Sequence, residues 1–206
     1  KIFICDTFCG PDSMVPVADF IDKQGHAEKP KVIFISHADW DHYWGNCHFP
    51  DVTILGHMLT EERILKEGQS TLEKYYDRTK GHVIIVPPNT LFQERILFVE
   101  EEVEFFHTPG HTLDSSSCYD KRDNVLFVGD NVESPLPYVN HLNIDKYIDT
   151  MEHYLELQWK AFVTGHDPVQ RGDSLIKQNI RYLNKLGNWS LSFEDLPEDA
   201  VIVHLH

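Results

Sequence analysis

A short run of metal-capable side chains stands directly after the apolar segment at residues 31–35. His37, Asp39, Asp41 and His42 fall within six residues of one another, a density that a cap or a turn does not require. In extended backbone alternate side chains share a face, so the first three can point the same way, and a turn into a helix brings the fourth round to join them. The run therefore predicts a loop that presents imidazole and carboxylate ligands to two adjacent metal ions.

Three further polar side chains follow apolar runs, the first after a Pro-Gly turn and the others after a glycine: His111, Asp130 and His166. Loops at the ends of buried strands are rigidly positioned yet exposed, which makes them the usual place for chemistry. A single strand-terminal Asp is more often a cap, but the three together with the first run predict one site of seven ligands. His107 is predicted to be a core histidine beneath His111, and Asp6 to orient the ligand loop rather than to bind metal.

The elements that must position these side chains are short buried strands alternating with helices. Apolar runs bounded by turn residues predict strands at 2–6, 31–36, 52–55, 83–86, 103–107, 124–128 and 161–164. Helical spacing of apolar residues predicts helices at 14–23, 61–67 with Thr60 as N-cap, 144–159 after Asn143, and 174–186. The pattern indicates layered sheets covered by helices, in one α/β domain over residues 1–206.

Composition restricts the partners. The 206 residues are 41% hydrophobic, and 33 acidic against 18 basic residues give a net charge of −15, without a Lys/Arg run that could bind nucleic acid. The four cysteines form no C-x-x-C pair, which favours a reducing, cytoplasmic setting. No apolar stretch approaches the roughly 18 residues of a membrane span, so we expect a soluble protein without membrane contact. Because the chain opens at Lys1 directly into a strand, we also expect a preceding segment.

Other polar and aromatic residues have more ordinary roles. We expect the aromatic side chains of Trp40, Tyr43 and Trp44 to wall the pocket, and the loop Glu133–Leu142, which contains Tyr138, to border it. The remaining histidines lie in polar or turn contexts and are predicted to be surface residues: His26, His48, His57, His82, His141, His153, His204 and His206.

The motifs and their order resemble the metallo-β-lactamase superfamily across residues 2 to about 186. The matching motifs are Asp-Thr at 6–7, His-x-Asp-x-Asp-His at 37–42, Thr-Pro-Gly-His at 108–111, Gly-Asp at 129–130 and Gly-His at 165–166. The resemblance implies a four-layered αβ/βα sandwich with the site at one edge, where the two sheets meet. The family usually has a β-hairpin before the Asp-Thr strand; here either an upstream segment supplies it or the first sheet is smaller.

The resemblance also implies how the ligands divide between two metal ions. It assigns His37, Asp39 and His111 to one ion and Asp41, His42 and His166 to the other, with Asp130 bridging them. Asp at position 130 is typical of members with two occupied metals, whereas some members have Cys there.

Asp39 departs from the commonest family pattern, which has a second histidine at this place. A carboxylate adds a hard oxygen donor and a negative charge, which favours iron or manganese relative to zinc. Flavodiiron proteins also have a carboxylate here, although it is Glu, so this chain resembles them in part. It has no appended flavin-binding domain, and any electron donor must be a separate protein or an upstream domain.

Two functions remain open at this stage. Two close cations share a bridging water and hold it as a hydroxide nucleophile, with Asp41 as a proton acceptor, which predicts a hydrolase acting on a small ester, thioester or related substrate. The alternative is a non-haem diiron protein that binds or reduces dioxygen or nitric oxide with an external electron donor. A family member that keeps the metals, iron or zinc, but has lost catalysis is a third possibility.

Overall fold

Two β-sheets form the frame of the fold in the computed structural model, which describes residues 1–192, 194 and 196. The first sheet is parallel throughout, in the order β1 to β4: Ile2–Cys5, Lys31–Ile35, Thr53–His57 and Thr90–Phe92. The second is antiparallel from β5 to β8, with β9 parallel to β8: Arg95–Phe98, Val103–His107, Ser116–Asp120, Val125–Gly129 and Ala161–Thr164.

Helices cover the outer face of each sheet. In chain order the α-helices, α1 to α5, are Pro11–Lys23, Trp40–Tyr43, Met58–Lys74, Ile144–Glu156 and Ser174–Gly187. Two short 3-10 helices in the described residues span Trp44–His48 and Tyr76–Arg78. None of the helices in the described part of the chain is long and apolar enough to cross a membrane.

Alternation along β2 shows how the layers form. Ile33 and Ile35 face α1 and α3 in one apolar cluster, whereas Val32 and Phe34 face the second sheet in another. A third cluster joins the outer face of the second sheet to α4 and α5. Because both faces of β2 are buried, the strand reads as a continuous apolar run. The result is the predicted four-layered arrangement of helices, sheet, sheet and helices.

Strand direction brings the ligand loops to one edge. β6 and β8 run in the same direction because both are antiparallel to β7, and β9 is parallel to β8. The carboxyl ends of these three strands therefore lie on one side of the second sheet. β1, which precedes Asp6, and β2, which precedes the ligand run, end together at the edge of the first sheet.

Several predicted elements differ from those observed. The predicted strand 83–86 is wrong: this segment pairs with neither sheet, although Val83 is buried and packs on the first apolar cluster. Strands β4, β5 and β7 were not predicted. The helix expected to begin after Thr60 begins at Met58, and the side chain of His57 accepts the hydrogen bond from the Leu59 backbone amide.

Candidate metal centre

The loop after β2 places its four predicted ligands close together. His37 and His42 are almost fully buried, while the side chains of Asp39 and Asp41 remain partly exposed. His37 Nε2 lies 3.5 Å from Asp39 Oδ2, and His42 Nε2 lies 3.9 Å from Asp41 Oδ1. The turn into α2 rotates His42 toward the other three, as the sequence predicts.

The three distant residues reach the same place from the second sheet. His111 Nε2 lies 3.2 Å from Asp39 Oδ2. Asp130 Oδ2 lies 3.1 Å from His42 Nε2 and 3.2 Å from His166 Nε2. All seven predicted side chains therefore converge, although they come from four loops spread over 130 residues of sequence.

The ligating atoms fall into two groups, and within each group they lie within 4.8 Å of one another. One consists of His37, His111 and Asp130, and the other of Asp41, His42 and His166. Asp130 also approaches His42 and His166 of the second group, so its carboxylate lies between the two. The second group matches the assignment that the family resemblance implies, whereas the first contains Asp130 and not Asp39, whose Oδ2 lies 3.5 Å from His37 Nε2 and 3.2 Å from His111 Nε2.

Two buried polar atoms at the centre have no hydrogen-bond partner among the described residues: His37 Nε2 and Asp130 Oδ1. A buried polar atom without a partner carries a desolvation cost, and native folds rarely leave one unexplained. Both atoms belong to predicted ligands and both lie where the two groups meet. The donor set therefore fits a pair of divalent cations.

Each buried imidazole is held through its Nδ1 atom, which leaves Nε2 facing the centre. His42 Nδ1 donates to Asp6 Oδ2 at 2.7 Å. The Ser36 hydroxyl also donates to Asp6 Oδ2, so His37 Nδ1, 2.9 Å from Ser36 Oγ, is the donor in that contact. His111 Nδ1 lies 3.2 Å from the Tyr138 carbonyl oxygen. Such partners fix the tautomer and orientation of metal-binding histidines, and Asp6 has the orienting position expected of it.

Arg63, on α3, contacts Asp39 in a way that the sequence did not indicate. Its guanidinium donates a short hydrogen bond to Asp39 Oδ1, which leaves Oδ2 to face His37 and His111. The same guanidinium donates to Asp114 Oδ1 at 3.2 Å, and Asp114 Oδ2 accepts from the Ala38 backbone amide. Arg63 thus offsets much of the negative charge that Asp39 adds to the site.

The electrostatics of the centre favour cations. Burial alone raises the pKa of Asp130, but the imidazoles of His42, His166 and His37 outweigh burial and hold that pKa well below its usual range. Burial likewise lowers the pKa of His42, but the carboxylates of Asp130 and Asp6 raise it well above the ordinary value. The Asp130 carboxylate therefore remains ionised, and it favours positive charge at the imidazole positions.

Asn131 and Asp114 are further residues of the site that sequence reasoning missed. The Asn131 side chain accepts from the His111 backbone amide at 2.8 Å and donates to the Thr108 carbonyl at 2.7 Å, so it locks the loop that carries His111. Both residues had a weak signal, because each lies within three positions of a predicted ligand. Arg63 had none, since it lies on a helix far from any motif.

The expectations for nearby aromatic residues hold in part. Trp40 and Tyr43 line a cavity beside Asp39, whereas Trp44 is fully buried in the apolar core. His107 is half-buried, not a core residue: its Nε2 donates to the Leu113 carbonyl, and the His57 ring stacks on it at 3.9 Å.

The histidines predicted at the surface divide by exposure. His57 is buried, so that prediction is wrong, because its ring both caps α3 and donates to the Gln93 carbonyl. The others are half-buried (His26, His48 and His141) or exposed (His82 and His153). His204 and His206 lie outside the described residues.

Comparison with known proteins agrees with the fold. The chain matches the family model of the metallo-beta-lactamase superfamily over residues 2–166, and it belongs to that family. The solved structure of TMB-1 superposes with a TM-score of 0.70 at 18% identity, covering 90% of this chain and 81% of that one. A metallo-beta-lactamase from Hirschia baltica gives a TM-score of 0.65 at 13% identity, covering 86% and 78%.

A curated relative is similar in sequence along most of its length. It is the acyl-coenzyme A thioesterase MBLAC2 of Gallus gallus, 23% identical over 198 residues, which cover 86% of this chain and 71% of the relative. Family membership and this distant thioesterase support a metal-dependent hydrolase at the level of the superfamily.

Proposed function

We propose that this chain is a hydrolase that uses two metal ions to cleave a small thioester or ester. The observation that carries the proposal is the convergence of two groups of ligating side chains on the carboxylate of Asp130. The name of the relative, an acyl-coenzyme A thioesterase, favours a thioester among the acyl substrates that such a site could take.

The residues that would hold the ions are those of the two groups together with Asp39: His37, Asp39, Asp41, His42, His111, Asp130 and His166. Two divalent ions, when bound, acidify a water molecule and polarise the carbonyl group of the substrate. The chain's own contribution is to fix the ligands through Asp6, Ser36 and Arg63 and to move protons at the exposed side of the centre.

Asp41 is the proposed proton acceptor. Its Oδ2 lies 3.4 Å from His166 Nε2, and its side chain is 23% exposed, so it reaches both the centre and solvent. A carboxylate in this position accepts the proton of the attacking water and returns one to the leaving thiolate. The side-chain amide of Asn140, 3.2 Å from His111 Nε2, is placed to donate a hydrogen bond to the substrate oxygen as negative charge develops on it.

A panel of esters and thioesters tests this proposal. We expect turnover of at least one member, loss of that turnover with a chelator, and a fall of about 10²-fold or more in Asp41→Asn, because general base catalysis contributes that much. Asp51→Asn, which removes the same charge from an exposed turn, is the control and should match the wild type. Unchanged turnover in Asp41→Asn or with chelator would contradict the proposal.

Asp39 favours a second candidate, a non-haem diiron protein that binds or reduces dioxygen or nitric oxide. The carboxylate oxygen that faces His37 and His111 is a harder donor than imidazole, which favours iron. The negative charge of Asp39 is a weaker argument for iron, because Arg63 pairs with the other carboxylate oxygen, Oδ1, and offsets that charge. Donor hardness is therefore the remaining reason for the diiron alternative.

The metal content of Asp39→His distinguishes these candidates. Protein expressed in iron-containing medium is expected to carry iron, alone or mixed with zinc, and Asp39→His should raise the ratio of zinc to iron by replacing oxygen with nitrogen. Elemental analysis of both proteins and of Asp19→His, an exposed control on α1, provides the measurement. Identical ratios in all three would remove Asp39 as the selector and leave the diiron alternative without support.

A further inference from the structure

A second cavity, of about 930 Å³, lies beside the metal centre. It is formed by the loop at residues 134–142, the first turn of α4 and the carboxyl end of α5. A cavity of this size lies within the range of small-molecule sites. The proposed reaction needs only the small volume next to the metal ligands, so this additional space requires an explanation.

The wall of the cavity is mostly apolar, although Ser134, Tyr138, Asn140 and His141 also line it. Side chains of Leu136, Pro137, Val139, Ile144 and Leu186 line it, and none of the described lining residues is Asp, Glu, Lys or Arg. At its rim, Leu142 is 99% exposed and Trp189 is 94% exposed. Large apolar side chains left in water at the mouth of an apolar cavity indicate a surface that a ligand covers.

The cavity adjoins the metal centre through the loop that they share. Tyr138 and Asn140 line the cavity, and both contact the candidate ligand His111. The Tyr138 carbonyl oxygen lies 3.2 Å from His111 Nδ1, and the Asn140 amide nitrogen lies 3.2 Å from His111 Nε2. Asn140 also lines the smaller cavity beside Asp39, so a substrate whose carbonyl group lies at the centre would reach the larger cavity past Asn140.

The loop is held in this shape from several sides. Glu133 Oε2 accepts from the Tyr138 backbone amide at 2.9 Å, and Gln178 of α5 donates to the Pro135 carbonyl at 2.7 Å. His141 Nε2 donates to the Gly110 carbonyl at 2.6 Å, which ties the rim to the His111 loop. These contacts hold the loop that walls the cavity, and a preformed site loses less entropy on binding.

We infer that this cavity binds the hydrocarbon chain of a fatty acyl thioester whose carbonyl group lies at the metal centre. The inference rests on the proposed hydrolase function and specifies its substrate class. The mostly apolar lining, without a charged side chain among the described residues, favours a hydrocarbon chain over a nucleotide, whose charged groups would have no charged partner there. Leu142 and Trp189 then determine the preference for chain length.

Hydrolysis of acetyl and dodecanoyl thioesters of one thiol tests this preference. We expect the wild type to favour the dodecanoyl thioester, and Leu142→Asp to lower the ratio of kcat/KM for dodecanoyl to that for acetyl by about tenfold. Leu142 is fully exposed, so the substitution should not disturb folding. Leu65→Asp on α3, which adds the same charge at another exposed leucine, should leave the ratio unchanged. An unchanged ratio in Leu142→Asp would overturn the inference.

Binding of dodecanoate provides a readout that needs no turnover. Because Trp189 lies at the rim, a bound chain should shift tryptophan emission to shorter wavelength in the wild type and in Leu65→Asp, and less in Leu142→Asp. If no thioester is hydrolysed but the shift occurs, the proposed function fails while the cavity still binds an acyl chain. No shift with dodecanoate, or dimerisation that Leu142→Asp abolishes, would overturn the inference.

Discussion

Replacing Asp130 with asparagine is expected to abolish stable metal binding and to lower turnover by at least about 10³-fold. The Asp130 carboxylate approaches three imidazoles, with Oδ2 at 3.1 Å from His42, 3.2 Å from His166 and 3.8 Å from His37. Asparagine keeps the shape but removes the charge that would lie between two cations. A loss of about 4 kcal/mol of transition-state stabilisation corresponds to such a fall in rate.

Metal stoichiometry by elemental analysis, together with thioester turnover, measures this effect. Asp19→Asn removes the same charge from the exposed side of α1 and should retain both metals and full turnover. If Asp130→Asn holds metal at the wild-type stoichiometry and turns over normally, Asp130 is not a ligand and the shared-carboxylate arrangement is incorrect.

The substitution Gly165→Ala is expected to damage the centre without removing any ligand. A Cβ atom at Gly165 would lie 2.0 Å from Asp130 Oδ1 and 2.9 Å from His42 Cε1, far inside van der Waals contact. Either the carboxylate or the strand end must move, and overpacking of this kind typically costs about 1–3 kcal/mol of stability. We therefore expect weaker metal binding, lower turnover and a lower melting temperature together.

Gly172→Ala is the matched control, because a Cβ atom there would meet nothing within 4 Å. Thermal unfolding with and without added zinc separates the two effects, since a ligand that binds the native state stabilises it by an amount that grows with the logarithm of its affinity. Equal stabilisation by zinc in Gly165→Ala and Gly172→Ala would show that the close approach of Gly165 to Asp130 does not govern metal binding.

The ligand loop could be predicted because its chemistry lies within a few consecutive residues. Four metal-capable side chains within six residues after a buried strand are not explained by caps or turns, so their pattern indicates metal binding. The contribution of Arg63 could not be predicted in this way. Its contact with Asp39 depends on how α3 packs beside the loop, which no local pattern in the sequence records.

The second sheet was harder to predict because polar residues build part of it. Strand β7 reads Ser-Ser-Cys-Tyr-Asp, which lacks an apolar run, yet Ser117 is buried because its hydroxyl bonds to Thr108 and Tyr154. At residues 83–86 the apolar run predicted a strand, but none forms there. The side chains of Val83, Ile85 and Val86 pack against the core, whereas Ile84 is exposed. Asn46 donates to the Val86 carbonyl and takes the place of a strand partner.

The two sheets contribute separate halves of the centre, and this division has a mechanical consequence. The first sheet carries His37, Asp39, Asp41 and His42, and the second carries the other three ligands. The spacing between the halves is set within the fold by aromatic rings such as Phe34 and Phe105, whose centroids lie 4.7 Å apart. If one sheet slid over the other, the distances between candidate ligands on different sheets would change, while the distances within one loop would stay the same. The packing of these aromatic rings therefore sets the distance between the two sets of candidate ligands.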